Sequence, residues 1–380
     1  MEDFIDSRWV DAIDIGFNES IAKNATKIVK ECEKNIKFFV PNYQGIQGEK
    51  PHRASYRFRA HVPLRGMRPG KDGIIGYVEH AKEDDIVILG KKARIQDIAY
   101  LKGKGITTVF DICDNKWKIK SGPNAQNWIN KVVVPFEYMI KNSDRLSTST
   151  PYLQNLIWLK AGRRATIIPD PTERKRKEPK FNPGDVVKVL WYGNSKHFGK
   201  INWEALVNTL KKIGKFEIHT ITDRTKRWID MYHGLINTGD IHIHEYTYNK
   251  QYQLMKECDI VFMMTSPVGF DSNEIKGKSP NRILDAIQMG KPVITNATIY
   301  SYNSFRPFVY WMLPFRKNAM TNSEGYDYTF GPDEWETAFN FVLNNKDEMT
   351  KRITEGQKYI DNFHTPEVIG RKWLDLRKDI

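Results

Sequence analysis

Apolar residues in this chain form short unbroken runs, separated by stretches in which they recur every third or fourth position. Short runs predict buried β-strands, and the longer period predicts amphipathic helices. In the first half the pattern predicts strands over 36–40, 85–89, 107–114, 132–135 and 165–168, and helices over 18–34, 96–102 and, after a strand end, within 143–161. Strands that alternate with helices are typical of parallel sheets.

The same alternation restarts in the second half, after the segment PTERKRKEPKFNPG at 171–184. This segment is charged, rich in proline and without apolar periodicity, which is typical of a linker. Beyond it the pattern predicts strands over 186–191, 216–221, 241–244, 259–263 and 292–294, and helices over 203–214, 249–258, 278–290, 334–345 and 365–379.

These patterns predict an α/β protein with two Rossmann-like domains, whose parallel sheets face each other across a cleft. A chain of 380 residues is also long for a single core. We place the first domain at 1–172, with an N-terminal helical extension, the linker at 173–184 and the second domain at 185–364. The terminal helix, at 365–380, is expected to return to the first domain.

The stretch KSPNRILDAIQMGKPVITN, residues 278–296, is the most informative local pattern. Pro280 suits the start of a helix, Gly290 suits its end, and Pro292 prevents its continuation. Lys278 and Arg282 place two cations at the helix N-terminus, where unpaired backbone N–H groups favour phosphate. The alternative is an ordinary helix and strand of a parallel sheet.

Composition excludes several classes of protein. Hydrophobic residues make up 40% of the chain, which is ample for globular cores, and no apolar run reaches the length of a membrane span. The sequence MEDFIDSRW lacks the features of a signal peptide. Three cysteines, at 32, 113 and 258, are too few and too scattered for a disulfide framework or a zinc site. We therefore expect a cytoplasmic protein.

The net charge of +13 is unevenly distributed. Residues 1–180 contain 33 basic and 22 acidic side chains, whereas residues 181–380 contain 26 and 24. Seven cations and no acid occur within 50–71. A solubilising surface usually mixes both signs, so this segment favours an anionic partner: nucleic acid, a membrane surface or a phosphorylated substrate.

Candidate ligand groups follow several predicted strands. Asp111 and Asp114 close the strand at 107–114, where a carboxylate could act as a general base or orient a hydroxyl, although for Asp111 a cap of the next turn is the favoured interpretation. Metal binding by this pair lacks further ligands. Gly193 would admit close approach of a ligand, and Thr222 and Asp223 follow the next strand. His197 is a second candidate base, with an ordinary loop residue as the alternative.

Six segments together resemble the GT-B glycosyltransferases of the glycogen-synthase-like superfamily, over most of the chain. They are ASYRFRAHVPLRGM, VFDICD, SDRLSTST, VLWYGN, CDIVFMM and KSPNRILDAIQMGKPVI. The resemblance implies that Lys278 contacts the donor phosphate and that Asp285 binds the donor ribose. The chain departs from the family pattern at two positions. The first glutamate of the family's E-x7-E pair falls at Gly277, with Glu274 out of register, and aspartate replaces the second glutamate at 285.

The resemblance implies transfer of a sugar from a nucleotide-diphosphate sugar, most naturally a UDP-sugar, to a hydroxyl acceptor. The cations at the helix N-terminus would stabilise the leaving diphosphate, so a divalent metal is possible but not required. The expected catalytic residues are Asp114 first and His197 second. The expected donor-binding residues are Gly193, Asn194, Thr222, Asp223, Lys278, Ser279, Asn281, Arg282 and Asp285.

The basic first half suggests a polyanionic acceptor, and DNA with hydroxymethylated bases is the favoured hypothesis, as in phage DNA-glucosylating enzymes. Phosphates would then be contacted by Arg57, Arg59, Arg65 and Arg68, and Tyr56 and Phe58 would pack on a flipped base. Two alternatives remain: a glycosyltransferase that acts on a lipid-linked or surface glycan, and a non-catalytic module that binds nucleotides or nucleic acid.

Overall fold

The computed structural model describes residues 36–39, 57–67, 73–76, 78–91, 93–117, 125–179, 181–198, 201–223, 225–264, 276–296, 300–312 and 332–376. The helix predicted at 18–34 lies outside these residues, as do Tyr56, Arg68 and Glu274. The chain divides into two compact units. The first contains Met1–Glu173, Lys276–Ser279 and Asp361–Ile380, and the second contains Arg174–Ile275 and Pro280–Ile360.

The first unit is built on a parallel sheet of six described strands, in the order β2-β1-β3-β4-β5-β6. The strands are β1 (Ile36–Phe39), β2 (Gly73–Gly76), β3 (Ile86–Leu89), β4 (Thr107–Ile112), β5 (Arg145–Thr148) and β6 (Thr166–Ile167). The helices are α1 (Val62–Arg65), α2 (Ile95–Gly103), α3 (Ala125–Trp128), α4 (Val134–Asn142), α5 (Pro151–Ala161) and, from the end of the chain, α14 (Pro366–Asp375).

Helices cover both faces of this sheet, as the unbroken apolar strands require. On one face Val87 and Leu89 pack in a cluster with Ile98 of α2 and Ile157 of α5. On the other face Phe38 meets Trp373 of α14 edge to face, with ring centroids 5.3 Å apart.

The contact of α14 with α1 is made by glycines. A Cβ at Gly66 would lie 2.0 Å from the carbonyl oxygen of Pro366, and a Cβ at Gly370 would lie 3.0 Å from that of Pro63. The two backbones therefore touch directly, and no side chain fits between them.

The second unit is built on another parallel sheet of six described strands, in the order β12-β11-β10-β7-β8-β9. The strands are β7 (Val186–Tyr192), β8 (Lys215–Thr222), β9 (Ile241–Glu245), β10 (Ile260–Met263), β11 (Val293–Asn296) and β12 (Tyr310–Met312). The helices are α6 (Ser195–Phe198), α7 (Trp203–Ile213), α8 (Thr225–Met231), α9 (His233–Asn237), α10 (Tyr248–Glu257), α11 (Asn281–Gln288), α12 (Pro332–Asn344) and α13 (Lys346–Phe363), and a 3₁₀ segment spans Tyr300–Phe308.

This sheet is also buried on both faces. Trp191 of β7 packs with Trp203 of α7 on one face, and Leu190 packs in a cluster with Ile283 and Ile287 of α11 on the other. The predicted α/β class with two parallel sheets is therefore confirmed. Among the described helices, none combines the length and the apolar character of a membrane-spanning segment.

One local prediction was wrong, and several elements were not predicted. Residues 132–135, predicted as a strand, lie in a π-helical turn (Ile129–Val133) and the start of α4, because Pro135 suits a first helical turn and Phe136, Met139 and Ile140 bury one face. Residues 57–65, for which the pattern predicted no helix or strand, are helical. Strands β2 and β12 were not predicted. Helix α13 was not predicted either, because most of its residues are polar and its few buried residues form only a weak apolar pattern.

The segment predicted as a linker forms no helix or strand over its described residues. Its first part is nevertheless buried: Thr172 is 2% exposed, Glu173 6% and Arg174 4%. The composition of this segment correctly indicated a connection between the two units. It did not indicate that the segment contributes a buried side chain to each of them.

Candidate functional site

In the second unit, the carboxyl ends of β7 and β8 lie against the start of α11. The N–H of Gly193, directly after β7, donates to the carbonyl of Ile221 in β8 at 3.0 Å. A Cβ at Gly193 would lie 3.0 Å from Nη1 of Arg282 and 3.0 Å from the Trp191 ring. Glycine is therefore the residue that allows the guanidinium of Arg282 to approach this turn.

Arg282 is held by two reciprocal hydrogen bonds. Its Nη1 donates to the carbonyl of Tyr192 at 3.0 Å, and the Tyr192 hydroxyl donates to the carbonyl of Arg282 at 2.9 Å. Burial and the nearby Asp285 raise the pKa of Tyr192 well above its usual value, so the hydroxyl remains a donor. The cation is thus fixed beside the first turn of α11.

The N-terminus of α11 carries no side-chain cap. The helix begins at Asn281, so Pro280 is its N-cap residue and does not lie within the first turn. No side chain makes a capping hydrogen bond at this end. The positive end of the helix dipole and a fixed arginine therefore coincide, which is an arrangement suited to a phosphate group. At the other end, Gly290 has φ of +73°, the left-handed conformation expected of a glycine helix stop.

Asp285, the expected ribose ligand, is only 2% exposed. Its carboxylate lies 3.8 Å from Nε of Arg174. The guanidinium of Arg174 lies 4.2 Å from the ring centroid of Tyr248 and 4.9 Å from that of Tyr252, so two aromatic rings of α10 fix its position. Sequence reasoning missed Arg174 because it lies in a segment whose composition indicated a linker.

Asp223 and Asn194, two other expected donor residues, have hydrogen-bond partners in the second unit. Asp223 accepts a hydrogen bond from the N–H of Ser195 at 2.6 Å and so joins the end of β8 to the start of α6. Thr222 is fully buried. Asn194 is exposed beside this turn, and its backbone carbonyl accepts a hydrogen bond from the N–H of His197. His197 itself is half-buried on α6. Asn281 is half-buried at the start of α11.

In the first unit, Asp114 lies just beyond β4 and is surrounded by lysines. Its carboxylate lies 3.2 Å from Nζ of Lys278, pairs with Lys91, and lies 3.8 Å from Lys116. Burial favours the neutral acid, but Lys278, Lys91 and Lys116 more than offset it and lower the pKa of Asp114 to about 2. Two residues proposed for different roles, Asp114 and Lys278, are thus brought together.

The lysines of this cluster repel one another. Burial and the neighbouring Lys91 lower the pKa of Lys116. Three ammonium groups share one carboxylate, so the cluster carries an excess of positive charge on side chains that remain partly exposed. Sequence reasoning missed Lys91 because only the fold brings the ends of β3 and β4 together, whereas Lys116 lies two residues after Asp114 in the sequence.

The proposed acceptor arginines are placed differently from the prediction. Arg57 is 5% exposed and pairs with Glu173. Arg59 is also 5% exposed and donates to both oxygens of Asp111, at 2.9 and 2.7 Å, and to Asp170 at 3.0 Å. Neither guanidinium is placed to contact the phosphates of a bound nucleic acid.

The other described members of the basic segment give little support to a nucleic-acid surface. Phe58 is 3% exposed, so its ring is not placed to pack on a flipped base. Arg65 is half-buried at the end of α1. Burial raises the pKa of Asp170, with Arg59 opposing this effect and the hydroxyl of Ser279 lying close to the carboxyl. The arginines at 57 and 59 therefore form part of the interior of the first unit.

Comparison with known proteins gives structural but not sequence matches. No protein-family model matches the chain, and no curated protein matches its sequence significantly. HepE from Anabaena, solved in complex with UDP-glucose, superposes with a TM-score of 0.61 at 12% identity, over 92% of this chain and 100% of its own. TarM from S. aureus superposes with a TM-score of 0.52 at 13% identity, over 78% and 55%. A putative UDP-N-acetylglucosamine 2-epimerase from Listeria monocytogenes superposes with a TM-score of 0.54 at 11% identity, over 92% and 96%.

The chain has the GT-B fold. It spans about half the length of TarM but the whole length of HepE. At these identities the likeness establishes the fold alone, so the reaction has to be argued from the side chains of the site.

Proposed function

We propose that this protein is a glycosyltransferase that uses a UDP-sugar as its donor. The observation that carries the proposal is the arrangement of Gly193, Arg282 and the N-terminus of α11 at the carboxyl ends of β7 and β8. In open α/β sheets, ligands bind at this edge. UDP-glucose in the complex of HepE, which shares the fold, supports this choice of donor.

The residues of the second unit divide the donor between them. Arg282 and the N–H groups of α11 bind the diphosphate, where charge develops as the glycosidic bond to the sugar breaks. Lys278 and Ser279, which immediately precede this helix in the chain and belong to the first unit, remain proposed donor ligands on the sequence resemblance alone. Asp285 accepts the ribose hydroxyls, because a carboxylate can accept two hydrogen bonds from a diol, and the guanidinium of Arg174 lies beside it.

In this proposal Asp114 holds lysines in place and does not remove the acceptor proton. A carboxylate with a pKa of about 2 is a weak base at neutral pH. Its three ammonium partners also occupy the oxygen atoms with which it would accept a proton. His197 is retained as the second candidate base.

For the acceptor we favour a hydroxyl group of a glycan over hydroxymethylated DNA. The DNA hypothesis depended on a row of exposed arginines, whereas Arg57 and Arg59 are buried and paired with carboxylates. Retention of the protein on a modified DNA duplex, decreasing steeply with salt, would restore the DNA hypothesis.

Calorimetric titration with UDP-glucose and with UDP tests the donor site. The unchanged protein should bind both, and Arg282→Gln should bind them roughly 10–100-fold more weakly, as expected for the loss of a charged hydrogen bond to phosphate. Arg227→Gln, which removes an exposed arginine of the same unit on α8, is the matched control and should bind normally. Absence of binding by the unchanged protein to any nucleotide sugar would favour a non-catalytic module.

The fold also admits an epimerase, since the Listeria structure named for that activity shares it. Proton NMR of UDP-N-acetylglucosamine incubated with the protein separates the two reactions. A transferase releases UDP only when an acceptor is supplied, whereas a 2-epimerase accumulates the 2-epimer without one. Accumulation of the epimer would refute the transferase proposal.

A further inference from the structure

A cluster of imidazoles and a carboxylate lies on one face of the second sheet, within β8 and β9. His219 of β8 pairs in register with His242 of β9, so their side chains project from the same face. Glu217 and His244 lie two residues from these positions along each strand and therefore share that face. In the described part of the chain, β9 is the edge of the sheet.

The possible ligand atoms of three of these residues converge. One side-chain ligand atom from each of Glu217, His219 and His242 lies within 4.8 Å of the others. Nε2 of His219 is 3.6 Å from Oε2 of Glu217. The rings of His219 and His242 are stacked with centroids 4.8 Å apart. In a tetrahedral zinc site the ligand atoms are roughly 3.3 Å apart. Side-chain rotations that move these atoms by about an ångström would therefore bring all three within bonding distance of one ion.

His244 has a different position in the cluster. Its Nε2 lies 3.2 Å from Nδ1 of His219, so a single proton is shared between these two nitrogen atoms. When His219 donates this proton, its Nε2 is a lone pair directed at the carboxylate of Glu217. That nitrogen is buried and makes no hydrogen bond in the structure. Two acceptors facing each other at this distance are stabilised by a cation between them.

The ligand set is two imidazoles and one carboxylate. Imidazole with one carboxylate favours zinc, nickel, cobalt or copper over magnesium or calcium, which prefer oxygen ligands.

We propose that Glu217, His219 and His242 bind a divalent transition-metal ion, with His244 as the positioning residue that orients His219. The assignment is independent of the proposed glycosyltransferase activity, because none of these side chains belongs to the donor site. A metal-bound histidine usually donates its other ring N–H to an acceptor, and the geometry gives His244 that role.

A metal at this position would join the outermost described strand of the sheet to its neighbour. Ligands from β8 and β9 would be held by one ion, so binding would stabilise the folded second unit and protect the edge strand. One cation of the protein competes for the same carboxylate: Nζ of Lys188 in β7 lies 3.9 Å from Oε2 of Glu217.

The test uses the full chain without an affinity tag, titrated with Zn²⁺ by calorimetry and with Co²⁺ by visible absorption. The unchanged protein should bind one equivalent of zinc, and cobalt should give the absorption of a four-coordinate nitrogen and oxygen site. His242→Ala should abolish the stoichiometric binding, and His244→Phe should weaken it by roughly 10–100-fold. His233→Ala removes an exposed histidine on α9 and is the matched control, which should bind as the unchanged protein does.

Two further variants keep the proposal falsifiable where a histidine variant unfolds. Glu217→Gln changes a partly exposed side chain with little change of shape and should weaken zinc binding. Lys188→Gln removes the competing ammonium group and should strengthen it. The proposal is overturned by an absence of saturable zinc binding to the folded protein, or by equal losses in His242→Ala and His233→Ala.

Discussion

Replacement of Arg59 by methionine removes a cation from between two buried carboxylates. In the structure its guanidinium donates to both oxygens of Asp111 and to Asp170, and it lies 5.3 Å from the ring centroid of Trp373. Removal of one partner of a buried ion pair leaves an uncompensated charge and costs about 3–5 kcal/mol. We expect Arg59→Met to lower the free energy of unfolding of the first unit by this amount.

The loss should depend on pH. Burial raises the pKa of Asp170, and Arg59 opposes this effect in the unchanged protein. Without the guanidinium, the folded-state pKa of this carboxyl rises further above its unfolded value of about 3.9, so the folded state binds more protons than the unfolded state. Stability of the variant then decreases as pH rises through the raised pKa, and its deficit should be smaller at about pH 5 than at about pH 8.

Hydrogen exchange of the amides of β4 and β5, followed by mass spectrometry, is the suitable assay. It reports opening of the first unit alone, whereas global unfolding of a chain with two units need not be two-state. Arg164→Met, which removes an exposed arginine of the same unit, should leave exchange unchanged. If Arg59→Met retains full protection but loses salt-dependent retention on DNA, Arg59 is a phosphate ligand and the structural reasoning is refuted.

Three further predictions follow from single positions. Gly193→Val places a branched side chain where a Cβ is already 3.0 Å from Nη1 of Arg282. We expect the folded variant to bind UDP more weakly in calorimetry, and equal binding would contradict the role of this turn. Gly290→Ala places a side chain at φ of +73°, with its Cβ 2.7 Å from the carbonyl oxygen of Glu178. The free energy of unfolding should fall by roughly 1–3 kcal/mol, measured by thermal unfolding. An unchanged melting temperature would show that the end of α11 tolerates a side chain without strain. The depressed pKa of Asp114 contributes stability that is complete above the unfolded value of about 3.9 and is lost as pH falls through about 2. Asp114→Asn should therefore cost the same free energy of unfolding at about pH 5 and about pH 7, below the range in which lysine side chains titrate, and a cost that varies over this range would contradict the assignment.

The sequence predicted α11 and its end well because several local signals agree there. The apolar stripe of Ile283, Leu284 and Ile287, the glycine with positive φ and the following proline all indicate the same helix. Residues 132–135 were mispredicted because the preference of valine for strands is weak, and the burial of Phe136 and Met139 decides for a helix.

The candidate sites were less predictable because they depend on contacts between distant positions. Lys91 meets Asp114 only because β3 and β4 are neighbours in the sheet. The histidines at 219 and 242 meet only through the register of β8 and β9. Nothing in the local sequence around Arg59 distinguishes a buried arginine from an exposed one, since its carboxylate partners lie far along the chain.

The backbone contact between α1 and α14 has a consequence for biosynthesis. Trp373 and Ile369 complete the apolar cluster that covers Phe38 and Ile88, yet they are translated more than three hundred residues after β1. The emerging first unit must therefore wait with one face of its sheet open while the whole second unit leaves the ribosome and folds. Chains that terminate prematurely, before α14, would display that face permanently, and we expect such nascent products to depend on chaperones and to be degraded quickly.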